Sequence, residues 1–293
     1  MNIGLYGKSF TDDFGESIQQ LISKLEKANC CIYVFEPFHN FINKKLNFNK
    51  KVVTFKDHSE IRNKLDYLIS IGGDGTLLST ISLIRDSNIP VVGINTGRLG
   101  FLASISKNDI SNAIDDILDN RIILEKRSLL KLEYKNNLFG DMNYALNEIT
   151  VKKKDTSSMI TINVYVNDEF LNSYWADGLI IATPTGSTAY SLSCGGPIIT
   201  PESENFIITP IASHNLTVRP IVIPDRYSLK LNVSDERNKK FLVNLDSRSQ
   251  IIDNLTELKI SKADFKFNMV RLENEMFFST IRNKLMWGLD KRN

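Results

Sequence analysis

Leu68-Ile69-Ser70-Ile71-Gly72-Gly73-Asp74-Gly75-Thr76 decides the fold of this chain. Its first four residues make a short apolar run, the mark of a strand buried on both faces. Glycines on either side of Asp74 break that run, and Leu77, Leu78, Ile81 and Ile84 follow at helical spacing. A buried strand that turns through glycines into a helix is the unit of a doubly wound α/β sheet.

The same alternation extends outward from that stretch. Residues 3–6, 31–35, 52–55 and 91–94 read as strands. Phe14, Ile18, Leu21, Ile22 and Leu25 share one helical face. Ser106 and Asp109 form a capping pair before a helix that turns Ile110, Ile114, Ile117 and Leu118 inward. Residues 1–125 are therefore expected to form an α/β domain with a mostly parallel sheet. After that the period changes. Ile160, Ile162, Val164 and Val166 alternate with polar residues, and Asn167-Asp168 supplies turn chemistry before residues 170–175. Phe241, Val243 and Leu245 alternate too, and Leu258, Ile260, Phe265, Phe267, Met269 and Leu272 stay strand-like. Residues 126–275 are expected to form an all-β domain of antiparallel sheets. Phe277, Ile281 and Leu285 mark a closing helix within residues 276–293.

Composition narrows the function classes. A hydrophobic fraction of 42% and a charged fraction of 24% over 293 residues are those of a globular protein. A net charge of +2 offers no general attraction for nucleic acid or anionic membrane. Lys152-Lys153-Lys154 reads as a solvated turn. His39, His58 and His214 lie far apart and form no zinc-binding pair. Cys30, Cys31 and Cys194 make an odd count with two adjacent, which fits buried thiols in a reducing compartment rather than a disulfide framework. With neither a signal peptide nor a membrane-spanning run to be read, a cytoplasmic location is expected.

Three clusters carry the chemistry. At Gly72, Gly73 and Gly75 a ligand can approach the backbone, and the free N–H groups after a strand end favour phosphate. A carboxylate there repels phosphate, so Asp74 needs a reason. It is either a ligand to Mg²⁺, directly or through water, or a base for an attacking hydroxyl. Neither a Gly-Lys-Ser/Thr ending nor a Gly-x-Gly-x-x-Gly spacing is present. The second cluster, residues 95–102, sets Arg98 between Gly97 and Gly100, where it can meet a phosphate. The third runs from Asp177 to Pro197. Its hydroxyls Thr183, Thr185, Ser187 and Thr188 suit polar ligand edges, and Tyr190 is available to stack.

Together these residues resemble the NAD kinase family of the bacterial type. The markers are Gly72 to Thr76, the run Asn95-Thr96-Gly97-Arg98-Leu99-Gly100-Phe101-Leu102, the pair Asn147-Glu148, and the stretch from Asp177 to Pro197. Lipid kinases share the glycine-aspartate run, and the Asp177 stretch is the more specific marker. The resemblance implies an active site between an α/β and a β domain, with the last segment packed on the first domain. It implies transfer of phosphate from ATP to the 2′-hydroxyl of the adenosine ribose of NAD, a divalent cation such as Mg²⁺, and a homo-oligomer, tetramer or dimer.

By the same resemblance Asp74 is the catalytic aspartate, with Gly75 beside it. Asn147, Glu148, Asp177, Thr188, Ala189, Tyr190, Ser191, Leu192, Ser193 and Ala212 bind NAD. Gly72, Gly73, Thr76 and Arg98 serve a phosphate loop. Two positions depart from relatives. Trp175 stands where several carry arginine, and Asp246-Ser247-Arg248 stands where aspartate, glycine or serine, then glutamine is common. The latter strand end is left out of the expected site.

Overall fold

The computed structural model describes residues 1–97, 100–135, 138–154, 159–234, 240–253, 256–273 and 276–287. The chain divides into two compact units, Met1–Lys126 with Asn268–Asn293, and Arg127–Phe267.

In the first unit a seven-stranded sheet runs in the order Val53–Phe55, Cys31–Phe35, Asn2–Gly7, Tyr67–Ile71, Val91–Ile94, Phe267–Leu272, Ile122–Arg127. The pairs from Val53–Phe55 through Val91–Ile94 are parallel, as a chain that alternates strands with helices requires. Strand Tyr67–Ile71 sits inside this sheet, and its last four residues are buried. Helix Gly15–Lys27 buries Ile18, Leu21, Ile22 and Leu25, and helix Ile110–Leu118 buries Ile110, Ile114 and Ile117 against the same core. The Ser106 hydroxyl donates to the Asp109 carboxylate at 2.6 Å just before that second helix. Strand Phe267–Leu272 differs from the sequence expectation. Its alternating pattern reads as part of the β domain, yet it pairs in parallel with Val91–Ile94, Met269 opposite Val91. Side-chain alternation reports which face is buried but not which strand lies alongside. The closing helix, Phe277–Leu285, belongs to this unit as well. Cys30 is buried, whereas Cys31, expected inside, is exposed at the start of its strand.

The second unit is a sandwich of two six-stranded antiparallel sheets. One carries Ile160–Val166, Glu169–Ala176, Leu229–Ser234 and Thr256–Lys262. The other carries Glu148–Lys153, Gly178–Ala182, Asn205–Ile211, Lys240–Leu245 and Arg248–Asp253. Ile160, Ile162 and Val164 from the first meet Ile149, Val151, Leu179, Ile181 and Val243 from the second in one core. Strand Gly178–Ala182 is buried on both faces. Leu179 and Ile181 enter the sandwich, while Ile180 and Ala182 pack with Ile207, Tyr190 and Cys194 on the outer side. That second burial anchors the loop that follows the strand. Among the described residues no helix is long and apolar enough to cross a membrane.

Ile162 is fully buried between the two sheets. Ile162→Ala is expected to cost about 2–5 kcal/mol of stability, read as a lower urea midpoint at unchanged slope.

Candidate functional site

In the first unit the Gly72–Gly73 turn follows directly from strand packing. Gly72 has φ +154°, and a Cβ there would lie 2.3 Å from the Thr76 hydroxyl oxygen, so only glycine fits. The Gly72 N–H donates to the Ile94 carbonyl at 2.9 Å, which ties the turn to the neighbouring strand. Helix Asp74–Ser79 starts at once, with Gly73 as its N-cap. Space around the Cα atoms of Gly73 and Gly75 is open.

The half-buried Asp74 carboxylate is held from the other side by the second glycine cluster. The N–H of Phe101 donates to its Oδ2 at 2.7 Å, and the N–H groups of Leu102 and Ala103 donate to Oδ1 at 3.1 and 2.9 Å. A Cβ on Gly100 would stand 1.7 Å from Asp74 Oδ1, so glycine is required for this approach. Asn95 shapes the loop by accepting the Gly97 N–H on its side-chain oxygen at 2.7 Å. Arg98 lies outside the described residues. A carboxylate has about four lone-pair directions, so three donors fix Asp74 and leave room for one further partner.

The sequence reading missed a cation beside this carboxylate. Lys284, on the closing helix, lies with Nζ 5.1 Å from the centre of the Phe101 ring. Burial pulls its ammonium below the ordinary value, and the attraction of Asp74 opposes that pull. In sequence Lys284 is one lysine of an amphipathic helix, and no spacing ties it to Asp74. Among the described residues no three His, Cys, Asp or Glu side chains gather where they could hold a metal ion.

In the second unit Asn147 and Glu148 stand at the start of strand Glu148–Lys153, both buried. Among the described residues, Asn147 Oδ1 and Glu148 Oε2 find no hydrogen-bond partner. Buried polar atoms rarely stay unsatisfied, so the pair is built to meet something polar. Burial first, and the Asp246 carboxylate second, push Glu148 up from 4.5 to about 8, against a Tyr190 backbone N–H bond and the charge of Lys152.

The loop after strand Gly178–Ala182 folds onto this pair. The N–H of Thr183 donates to the Asn147 carbonyl at 2.9 Å, and the Thr183 hydroxyl donates to the Leu146 carbonyl at 2.5 Å. A Cβ on Gly186 would lie 2.0 Å from the Asn147 carbonyl oxygen, so glycine permits the approach. The hydroxyls expected to read a ligand are largely spent on the loop itself. Ser187 pairs with the Ile199 backbone, Ser191 with Thr209 at 2.8 Å, and Thr188 with the Thr185 carbonyl. Sequence reveals a hydroxyl but not whether its partner is internal.

Thr188, Ala189, Tyr190 and Leu192 are half-buried, Ser193 is exposed and Ser191 is buried. Lys152 lies 5.6 Å over the Tyr190 ring. Tyr190 is pushed up by burial first, with Cys194, Asp177 and Glu148 adding to the shift, which puts Asp177 and Glu148 near one ring. Asp177 itself pairs with Lys153 at 2.6 Å. Ala212 is exposed with φ +45°, a conformation that costs a residue with a Cβ about 1–2 kcal/mol. Trp175 is exposed and meets His214 edge-on at 4.5 Å.

Comparison with known proteins shows the family of the chain. Residues 18–122 match the model of the ATP-NAD kinase N-terminal domain, and residues 146–272 match that of the ATP-NAD kinase C-terminal domain. Over 294 residues the chain is 45% identical to an NAD kinase of Cytophaga hutchinsonii, and over 295 residues 46% identical to one of Flavobacterium johnsoniae, with 100% of each chain covered. Among solved structures, an Archaeoglobus fulgidus NAD kinase in complex with ATP is 25% identical at a TM-score of 0.72, covering 98% of this chain and 99% of that one. A yeast NADH kinase complexed with NADH shares the fold at a TM-score of 0.89 and 23% identity, covering 99% of this chain and 88% of that one.

Two outcomes test the geometry. Gly100→Ala drives a methyl group into the Asp74 carboxylate and is expected to cost about 1–3 kcal/mol in denaturant melts. For Glu148, the folded chain keeps a proton that the unfolded chain releases above about 4.5. Its contribution to stability therefore falls as pH rises between about 4.5 and about 8. Glu148→Gln cannot ionise, so it should melt above the native chain at pH beyond about 8, with the difference shrinking in acid. A melting difference that does not vary with pH would remove this titration as the cause.

Proposed function

The chain belongs to the ATP-NAD kinase family and phosphorylates NAD with ATP, and from that premise we propose that Asp74 is its catalytic base. The observation that carries the proposal is the Asp74 carboxylate, fixed by three backbone N–H groups beside the open approach at Gly73 and Gly75. Simple dinucleotide binding would not need a carboxylate in a phosphate-facing turn.

The reaction is in-line attack of the adenosine ribose 2′-hydroxyl on the γ-phosphorus of ATP. A bond forms between O2′ and phosphorus, the bond to the β–γ bridging oxygen breaks, and ADP leaves. The hydroxyl proton passes to Asp74. In a loose phosphoryl-transfer transition state the hydroxyl keeps its proton until late, so positioning comes first. The single free lone-pair direction on Asp74 suits that task. Lys284 brings positive charge near Asp74, and in this reading it offsets the negative charge of the phosphoryl oxygens. Gly72, Gly73 and Thr76 form the phosphate-facing turn, joined in this reading by Arg98.

Asn147, Glu148, Asp177, Thr188, Ala189, Tyr190, Ser191, Leu192, Ser193 and Ala212 bind NAD in this proposal, so the β unit is the dinucleotide-binding domain. The orphan oxygens of Asn147 and Glu148 supply the polar partners. Glu148 with its pKa near 8 meets the ligand largely as a neutral acid and can donate as well as accept. Ala212 is exposed and left-handed, a strain that a ligand contact would explain. Ser191 contributes mainly by bracing the loop through Thr209.

A divalent cation fits a site made of one carboxylate and donor phosphates, the habit of Mg²⁺. Asp74 would reach it only through the water or hydroxyl seated in its one open direction, and when bound it would neutralise phosphate charge. The enzyme works in the cytoplasm as a homo-oligomer, a tetramer or dimer.

The decisive measurement is ATP-dependent NADP formation by Asp74→Asn, paired with NAD binding by calorimetry. Turnover should fall by about 10²–10⁴-fold, the usual worth of general-base help, while NAD binding stays within a few-fold. Near-native turnover would remove Asp74 from the chemistry.

A further inference from the structure

Asp246 opens the two-residue turn between strands Lys240–Leu245 and Arg248–Asp253, and it was left out of the expected site. Its carboxylate is deeply buried yet well supplied with donors. Oδ2 accepts the Leu146 N–H at 2.9 Å, and Oδ1 accepts the N–H groups of Asn147 and Glu148 at 2.8 and 3.2 Å. In return its own N–H donates to the Glu148 carbonyl at 3.0 Å. Every backbone N–H from Leu146 to Glu148 thus ends on this one side chain. With φ +51° the position sits in the left-handed region, which aspartate and asparagine tolerate better than other residues bearing a Cβ. Two residues on, Arg248 reaches across to the same segment and donates from Nη1 to the Met142 carbonyl and from Nη2 to the Tyr144 carbonyl.

This clasp holds the backbone of the two residues that carry the orphan oxygens, Asn147 and Glu148. A backbone pinned on both flanks limits where those oxygens can point. We propose that Asp246 is a positioning residue for dinucleotide recognition, holding residues 146–148 so that Asn147 and Glu148 face the nucleotide, with Arg248 bracing the segment that leads into them. The inference rests on the assignment of Asn147 and Glu148 to NAD. It adds a role for a strand end that touches neither substrate in the proposed mechanism.

Burial pushes the Asp246 carboxyl up, its three N–H donors and Arg248 pull it back down, and in its ionised form it has a second effect. It disfavours ionisation of Glu148, alongside burial, while Lys152 and the Tyr190 N–H favour it. Tyr190 and Cys194 sense Glu148 as well, Asp177 adds to the shift of Tyr190, and Arg248 acts on Asp246. Asp246→Asn keeps the side-chain shape and tolerates the left-handed backbone, so it isolates the charge and the acceptor set. A purely structural role would lower NAD and ATP affinity together at every pH. A positioning role separates the two ligands and moves the pH profile.

The test is NAD calorimetry on the full chain from about pH 6 to about pH 9.5, with steady-state kinetics in both substrates. Asp246→Asn should weaken NAD about tenfold, the scale of one lost charge-assisted hydrogen bond, and leave the KM for ATP within about twofold. The pH at which NAD affinity changes should move down. Arg248→Gln, which keeps the Asp246 clasp, should weaken NAD by a smaller factor with kcat at saturating NAD retained, and it serves if Asp246→Asn does not fold. Native NAD affinity and an unmoved pH profile in the folded variants would overturn the proposal, as would equal losses for NAD and ATP. Native NAD affinity in both Asn147→Ala and Glu148→Ala would instead sink the assignment of that pair, and the inference with it.

Discussion

A carboxylate withdrawn from water must find donors, and backbone N–H groups in sequence are the most economical set a fold can offer. Both compact units of this chain are organised around that constraint. In the first, Phe101, Leu102 and Ala103 turn their N–H groups onto Asp74. In the second, Leu146, Asn147 and Glu148 turn theirs onto Asp246. Each arrangement joins segments far apart in sequence, and each requires a local absence of bulk or a left-handed residue. Gly100 lets the loop close on Asp74, and Asp246 itself takes the positive φ. The chemical consequences differ. The Asp74 carboxylate keeps one direction free for a hydroxyl or a water. Asp246 is enclosed, and its influence passes to Glu148 through position and charge.

Much of this was legible in the sequence because it depends on local chemistry. The apolar run into Gly72 to Thr76 encodes a strand, a turn and a helix within ten residues, and all three are found. The alternation of Ile160, Ile162 and Val164 encodes a half-buried antiparallel strand, and those side chains do fill the sandwich. The family followed from motif residues such as Asp177 to Pro197 rather than from any periodicity. What escaped depends on long-range pairing. Strand Phe267–Leu272 carries no local mark of its partner Val91–Ile94. Lys284 comes beside Asp74 only through the packing of the last helix. The hydroxyls of Ser187 and Ser191 look like ligand donors in a string of letters, yet they fasten their own loop.

The division of labour among polar groups in the β unit explains why so many small residues crowd one loop. Thr183, Ser187 and Ser191 satisfy backbone and neighbouring hydroxyls, and Gly186 and Gly196 allow contacts that a Cβ would block. These internal bonds restrain the loop, and a restrained loop loses less entropy on binding a ligand. Beneath it, Asn147 Oδ1 and Glu148 Oε2 stay without a hydrogen-bond partner among the described residues.

The position of Phe267–Leu272 has a consequence for synthesis. This strand lies between Val91–Ile94 and Ile122–Arg127, so the first sheet cannot be completed while the chain emerges in order. At about 5–20 residues per second, the ribosome needs on the order of ten seconds to make the intervening β unit. Throughout that interval strand Val91–Ile94 presents an open, apolar edge, the kind of surface that recruits other nascent chains. The nascent protein therefore passes through a vulnerable stage with its Gly72–Thr76 turn made and its sheet unfinished, until strand Phe267–Leu272 closes it.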